Sequence, residues 1–248
     1  MSSLQSIDLN CDLGEGGAHD AIIMPLISSA NIACGAHAGD EVTMRETISL
    51  ALKYGVAIGA HPGYEDRDSM GRRPIDLSPK DIADLDERQL KSIAKIAKDL
   101  GADIHHVKLH GALYHQADAD PLIASAVVNA IQSILPQAMI YAAPNGHMQA
   151  ATRSDGLRFR AEGFVDRRYR DDGSLVPRSE VGAVINDPAT APAQMMEILR
   201  DGKVTSTGGS AVPIKIGTLC VHGDNESALE ILKSVRSNLE AAGVRVCH

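Results

Sequence analysis

Residues 6–16 read SIDLNCDLGEG, and this stretch decides the fold. Side chains alternate along a β-strand, so Asp8, Asn10 and Asp12 share one face, and the residues between them make an apolar face. In a closed α/β barrel the apolar face meets the helices and the polar face lines the interior. The stretch therefore predicts the first strand of such a barrel, with a site at its carboxyl end.

The rest of the chain alternates short apolar runs with helix-like segments. We predict strands over residues 6–9, 31–33, 56–60, 104–109, 139–142, 157–161 and 218–221. This alternation is typical of parallel α/β proteins, and about seven or eight such units close a distorted (β/α) barrel. One domain spanning residues 1–248 is the simplest organisation.

Helix signals stand between the predicted strands. The starts are Ser78-Pro79, Asp120-Pro121, Asp187-Pro188 and Asp224, and the stops are Gly101, Gly202 and Gly243. Asp40 and Asp224 each follow a glycine and precede a helix, so capping and a functional role stay open for both. Residues 163–187, rich in Arg and Asp, predict a functional loop or lid, and residues 204–217 could supply a further strand.

Composition excludes several classes of protein. Lys plus Arg number 24 against 32 Asp plus Glu, and a net charge of −8 disfavours nucleic-acid binding. Aromatic residues make up 3% and Trp is absent, which argues against a stacking platform for bases or sugars. No run reaches the roughly 18 apolar residues of a membrane span, and the N-terminus has no signal pattern. Four widely spaced cysteines indicate free thiols, so we expect a cytoplasmic protein without a membrane partner.

Chemistry-bearing residues follow the predicted strands. Glycine-flanked histidines recur after four different strands, and they are His37, His61, His110 and His222. Asp12 and Glu15 follow the first strand, and Glu15 has no helix to cap. On the fourth strand, His106 and Lys108 share the face of His110. Because the carboxyl ends of parallel strands meet at one end of a barrel, we expect these side chains to converge on one pocket.

Two chemistries fit this cluster, and the sequence leaves both open. One is metal-assisted hydrolysis, in which Asp12, His61 and His110 hold a divalent cation and leave a position for water. The other is metal-free amide hydrolysis, with a carboxylate as base and Lys or His stabilising the oxyanion. Neither a P-loop, a GxGxxG turn after a strand nor a GxSxG elbow occurs in the sequence.

Basic side chains close to the predicted cluster could hold a carboxylate or phosphate. They are Lys108, Arg72, Arg73, Arg167, Arg168 and Arg178. A solvated loop is the alternative interpretation for at least half of this set.

Several motifs, in order along nearly the whole chain, resemble the LamB/YcsF family. They are DLNCDLGEG (8–16), SANIACG (29–35), HAGD (37–40), GAHPG (59–63), GRR (71–73), HGALY (110–114) and CVHGD (220–224). The chain departs from the family pattern at Ala36, Leu109, Val165 and the Ser69-Met70 pair. None of these departures removes a charged or histidine side chain.

The resemblance implies a barrel of the glycoside hydrolase/deacetylase type. It also implies opening of 5-oxo-L-proline to L-glutamate, coupled to ATP hydrolysis and carried out with 5-oxoprolinase subunits B and C, which would bind most of the ATP. The catalytic set would be Asp12, Glu15, His61, His110 and Lys108. Binding of substrate or phosphate would fall to Asn10, Asn31, His37, Arg72, Arg73, Glu162, Arg168 and His222.

Two other functions stay open beside that one. The first is a stand-alone metal-dependent deacetylase or amidohydrolase, which the same fold type allows. The second is a regulatory binding module for a partner protein, which the clustered Asp, Glu and His disfavour. A homo-oligomer is compatible with all three.

Overall fold

The computed structural model describes residues 5–17 and 19–248, and its centre is a closed parallel barrel. The strands are β1 (Ser6–Leu13), β2 (Ser29–Ala33), β3 (Ala57–His61), β4 (His106–Lys108), β5 (Met139–Ala142), β6 (Arg158–Phe164), β7 (Lys203–Thr205), β8 (Ala211–Pro213), β9 (Thr218–His222) and β10 (Arg245–Val246). Strands β1 to β6 and β9 form the barrel, which closes where β9 pairs with β1. Met1–Leu4, part of the N-terminal stretch in which we predict no signal, lie outside the described residues.

Helices surround the barrel. They are α1 (Asp20–Ile23), α2 (Glu41–Tyr54), α3 (Pro79–Asp99), α4 (Gly111–Ala119), α5 (Pro121–Ile134), α6 (His147–Ser154), α7 (Thr190–Asp201) and α8 (Ala228–Ala241), with a 3-10 turn at Met24–Leu26. In residues 5–17 and 19–248, none of them is long and apolar enough to span a membrane. The cysteines are free thiols, as predicted: Cys11, Cys34, Cys220 and Cys247.

The predicted barrel is confirmed, and it has seven strands because β6 pairs directly with β9. Residues 204–217, which we expected to supply a further strand, do contain strand residues, and these form the antiparallel hairpin of β7 and β8 outside the barrel. Residues 163–187 leave β6 and contain two isolated antiparallel bridges, Arg167 to Val184 and Tyr169 to Leu175. Strand β1 runs to Leu13 rather than ending at residue 9, since both β2 and β9 pair with its second half.

The helix signals are confirmed at two starts and corrected at two. Ser78 and Asp120 cap α3 and α5, because each side chain accepts a hydrogen bond from the next turn. Helix α7 begins at Thr190, three residues after Asp187. The Asp187 carboxylate accepts hydrogen bonds from the backbone N–H groups of Ala189 and Thr190. Asp224 does not cap α8, which begins at Ala228.

Asp40 and Asp224, for which the sequence left two roles open, have different roles in the structure. Asp40 caps α2, because its Oδ1 accepts a hydrogen bond of 2.8 Å from the backbone N–H of Thr43. The Asp224 carboxylate instead forms ion pairs with Arg72 and Arg178.

The barrel interior is polar, as the alternation in β1 predicts. Asp12 lies beside Asn31 of β2 and His222 of β9 in the strand register, while the apolar side chains of β1 are buried on the other face. Gly59 of β3 pairs with His106 of β4, and a Cβ at Gly59 would lie 2.1 Å from the imidazole Nε2. The glycine therefore makes room for a histidine inside the barrel.

Asp86 is a buried carboxyl group on α3, away from the barrel interior. Among the residues that the structure describes, neither of its oxygens has a hydrogen-bond partner. Burial raises the pKa of Asp86 to about 8. The unfolded chain releases this proton near pH 4, so the folded state binds more protons between about pH 4 and pH 8 and loses stability as the pH rises through that range.

Asp86→Asn keeps the shape of the side chain and removes its titration. We expect the free energy of unfolding of the wild type to fall, relative to the variant, by about 1.4 kcal/mol per pH unit between pH 5 and pH 8. Urea unfolding at each pH unit measures this difference. The exposed Asp103 supplies the control, because Asp103→Asn should follow the wild type. A constant difference between wild type and Asp86→Asn across the range would contradict the prediction.

Candidate functional site

A cleft opens at the carboxyl ends of the barrel strands. The charged and histidine side chains that line it are Asp12, Glu15, His61, Arg72, Lys108, His110, His115, Arg167, Arg178, His222 and Asp224. Glu15 reaches it from the turn after β1, which a 2.8 Å hydrogen bond from the Gly14 N–H to Asp20 Oδ2 holds in place. The structure therefore brings residues from β1, β3, β4 and β9, or from the turns that follow them, to one place.

Three histidines and one carboxylate form a compact cluster in this region. The Glu15 Oε1 lies 3.2 Å from His37 Nε2, 3.2 Å from His110 Nδ1 and 3.8 Å from His61 Nε2. The rings of His37 and His110 stack with centroids 3.8 Å apart. His37, His61 and His110 are buried, and the Glu15 side chain is 8% exposed.

Backbone carbonyl groups fix the protons on two of these rings. His61 Nδ1 lies 2.7 Å from the Lys108 carbonyl oxygen, and His110 Nε2 lies 2.7 Å from that of Met70. A carbonyl oxygen only accepts, so each of those nitrogens donates. The opposite nitrogens, His61 Nε2 and His110 Nδ1, then face each other at 2.9 Å. Two lone pairs at that distance require a proton or a cation between them.

The charges around the cluster favour a proton on His61. Burial acts to lower the pKa of His61, but the nearby Asp12 carboxylate outweighs it and the pKa is raised. Burial lowers the pKa of His110 well below its usual value, and it also lowers the pKa of His37. Burial acts to raise the pKa of Asp12, but the charges of His61 and Lys108 hold it well below the ordinary value. His61 and Asp12 therefore form an ion pair, with Nε2 3.4 Å from Oδ2.

The same cluster has the composition of a divalent-cation site. One ligand atom from each of Glu15, His37, His61 and His110 can be chosen so that all four lie within 4.8 Å of one another. Imidazole nitrogens fixed by carbonyl groups and one carboxylate oxygen suit Zn²⁺ and similar ions. The sequence selects Asp12 with His61 and His110, whereas the structure groups Asp12 with Cys220 and His222 instead.

The other polar residues of the predicted site form a buried hydrogen-bonded network around Asp12 and Lys108. Asn31 donates 2.8 Å hydrogen bonds to both Asn10 Oδ1 and Asp12 Oδ1. The Lys108 ammonium lies 2.9 Å from Asp12 Oδ1 and 3.0 Å from the Glu162 carboxylate. Asn10, Asn31 and Glu162 do not line the cleft; the two asparagines support Asp12, which does, and Glu162 pairs with Lys108 from a neighbouring cavity.

The predicted arginines separate into two groups. Arg72 lines the cleft as predicted, but Arg73 and Arg168 do not. The Arg73 side chain is 69% exposed and pairs with Asp66 at 3.3 Å. Of the other basic candidates, Arg167 and Arg178 both line the cleft.

Two aromatic residues of the cleft wall were not singled out by sequence, Tyr114 and Phe164. Tyr114 lies one helical turn after His110, and that spacing in HGALY is a signal that could have identified it. Phe164 comes from the end of β6, and its ring stacks on His222 with centroids 5.5 Å apart. His222 in turn lies 2.9 Å from Asp166 through its Nδ1.

Comparisons with known proteins match this architecture. Residues 7–248 match the LamB/YcsF family. The chain belongs to that family. It is 46% identical to the A subunit of 5-oxoprolinase from Symbiobacterium thermophilum, over 98% of this chain and 95% of that protein.

Solved structures support the same assignment. The lactam utilization protein of Thermus thermophilus superposes with a TM-score of 0.90 at 38% identity, over 98% of this chain and 99% of that one. A family 4 carbohydrate esterase from Streptomyces lividans, in complex with acetate, shares the fold alone. Its TM-score is 0.52 at 7% identity, over 99% of this chain and 93% of that one.

Asp12→Asn removes the charge that keeps the proton on His61. We expect the pKa of His61 to fall relative to the wild type, because burial then acts without its counterion. Imidazole NMR titration of the chelator-treated chain measures the change. Asp224→Asn is the matched control, since Asp224 pairs with arginines rather than with His61. An unchanged His61 titration in Asp12→Asn would show that another group holds the proton.

Proposed function

We propose that this chain is the hydrolytic A subunit of an ATP-dependent 5-oxoprolinase, which opens 5-oxo-L-proline to L-glutamate together with subunits B and C. The observation that carries the proposal is one cleft that joins the Glu15, His61 and His110 cluster to a wall of arginines. The names of the relatives support the hydrolase class and the assembly with other subunits.

The carboxylate of the substrate is assigned to the arginine wall. Arg72 and Arg178 both lie against Asp224, which holds the two guanidinium groups at the cleft. Arg167 is buried beside them, and its Nη2 donates to the Val176 carbonyl. Guanidinium groups bind carboxylates and phosphates in a bidentate manner, so this wall suits an anionic lactam or its phosphorylated form.

Glu15 is the better of the two candidate bases. Asp12 has a pKa well below its ordinary value and accepts hydrogen bonds from Asn31 and Lys108, which makes it a weak base. Glu15 contacts the cluster from the cleft through a single oxygen, Oε1. In this proposal Glu15 takes a proton from the attacking water, while protonated His61 stabilises the developing oxyanion.

A divalent cation would alter the division of roles within the cluster. His37, His61, His110 and Glu15 would hold it, and a cation there would polarise a carbonyl or activate water. This set supports the second candidate function, a stand-alone metal-dependent deacetylase or amidohydrolase. In that case Glu15 is a ligand, and His61 Nε2 would bind the cation in place of the proton that Asp12 stabilises.

Activation by ATP is assigned to the partners. The sequence carries no P-loop. The proposed docking surface is the segment of residues 163–187, which borders the cleft through Arg167, Leu175 and Arg178. Val181 within it is fully exposed, as expected for a side chain that a partner would cover.

Glu15→Gln keeps the size of the side chain and removes its basicity. We expect turnover of 5-oxoproline by the complete assembly to fall by at least ~10²-fold, as loss of an acid–base group usually causes. Glutamate release measures it. Glu65→Gln, at an exposed position of the loop after β3, is the control and should keep full turnover. Near-normal turnover in Glu15→Gln would assign the base role elsewhere.

Dependence on partners separates the two candidate functions. The purified chain should release no glutamate from 5-oxoproline and ATP, whereas the mixture with subunits B and C should do so. Glutamate formation with and without each partner is the measurement. Full ATP-dependent activity of the isolated chain would contradict the shared-site proposal. Chelator-sensitive activity of the isolated chain on N-acetylated substrates would favour the deacetylase instead.

A further inference from the structure

A second cavity lies beside the cleft, and we call it the side chamber. It has a volume of about 430 Å³ and is lined by α4, the ends of β5 and β6, and residues of the 163–187 segment and the β7–β8 hairpin. Tyr114, His115, Phe164 and Leu175 belong to the walls of both cavities. The side chamber therefore adjoins the cleft rather than forming a remote pocket.

The two cavities differ in the charges on their walls. Acidic residues of the side chamber are Asp118, Glu162 and Asp172, and no Lys or Arg is among the described residues that line it. The cleft has four basic side chains, Arg72, Lys108, Arg167 and Arg178, beside three carboxylates, Asp12, Glu15 and Asp224, so of the two cavities it is the one that offers cations to an anionic group. A molecule with an anionic and a cationic end would therefore place its ends in different cavities.

Buried polar atoms of the side chamber lack partners. Tyr114 is 6% exposed, and its hydroxyl makes no hydrogen bond within residues 5–17 and 19–248. In the same part of the chain, Asp118 Oδ1 is buried without a partner. Gly146 leaves the room for that oxygen, because a Cβ there would lie 1.8 Å from it. Buried polar groups without partners are costly, so these atoms are suited to a ligand that donates hydrogen bonds.

We propose that the side chamber binds the ammonium group of an α-amino dicarboxylate whose carboxylates lie in the cleft. The inference rests on the proposed function, which creates such an ammonium group. When water opens the lactam, its oxygen bonds to the carbonyl carbon and the C–N bond breaks. Both water protons end on the nitrogen, so a carboxylate and an ammonium group replace one neutral amide.

The side chamber has the acceptors that an ammonium group requires. Its three N–H bonds can be accepted by the Asp118 carboxylate, the Tyr114 hydroxyl oxygen and the second oxygen of Glu162, which has no hydrogen-bond partner among the described residues. The other Glu162 oxygen lies 3.0 Å from Lys108, which lines the cleft. Glu162 thus stands at the boundary between the two cavities. The intact lactam has one neutral N–H and gains less from this site than the ring-opened product.

The test compares L-glutamate with glutarate, which has the same two carboxylates and no ammonium group. Isothermal titration calorimetry on the full chain should show L-glutamate binding at least ~10-fold more tightly, the factor expected for one charge-assisted hydrogen bond. Asp118→Asn and Tyr114→Phe should each weaken L-glutamate binding by a similar factor and leave glutarate unchanged. Asp103→Asn, at an exposed position, should change neither.

The binding inference and the proposed function are tested by different measurements. The inference is overturned if glutarate binds as tightly as L-glutamate, if neither ligand binds, or if Tyr114→Phe and Asp118→Asn weaken both ligands equally. Thermal unfolding of each variant separates a lost contact from a lost fold, and Tyr114→Phe removes only one oxygen. The proposed function is judged separately, by glutamate formation from 5-oxoproline in the complete assembly.

Discussion

A positive charge inside the barrel, on Lys108, is the constraint on which the rest of the structure depends. Burial acts to lower the pKa of Lys108, but Asp12, Cys220 and Glu162 outweigh it and raise the pKa well above its usual value. These partners come from β6, β9 and β1, three neighbouring strands across the interior from β4, so one ammonium group connects two sides of the barrel. Removing a partner would leave a buried charge uncompensated, at a cost of several kcal/mol. The ion pairs therefore fix the strand register as well as the charge.

The same residue organises the cleft. The carbonyl oxygen of Lys108 fixes the His61 ring, and its ammonium group fixes Asp12, which then keeps the proton on His61. A single residue of β4, Lys108, thus holds both members of the His61–Asp12 pair, one through its carbonyl oxygen and the other through its ammonium group. A shift of β4 by one position would move Lys108 to the helix-facing side and lose both contacts at once. Fold and site are for this reason specified by the same side chain.

Strand alternation and glycine-flanked histidines were sufficient to predict the barrel, its polar interior and the end at which the site residues gather. The sequence did not show which residues support and which face the cleft, because that depends on depth along the strand. By strand alternation Asn31 points into the barrel as His61 does, yet Asn31 lies beneath the cleft and His61 lines it. The positions of the loop arginines were harder to predict from sequence. Arg72 and Arg73 are adjacent in the chain, but Arg72 pairs with Asp224 at the cleft and Arg73 pairs with Asp66.

Closure with seven strands has a further consequence for the binding surface. Because β6 pairs directly with β9, the chain between them cannot enter the barrel and folds over its rim. From this excluded stretch, Tyr169, Leu175, Val204 and Ile214 line the side chamber. This stretch therefore gives the cleft an acidic neighbouring compartment, and in our proposal one small barrel holds the carboxylates and the ammonium group of a zwitterionic molecule in different cavities.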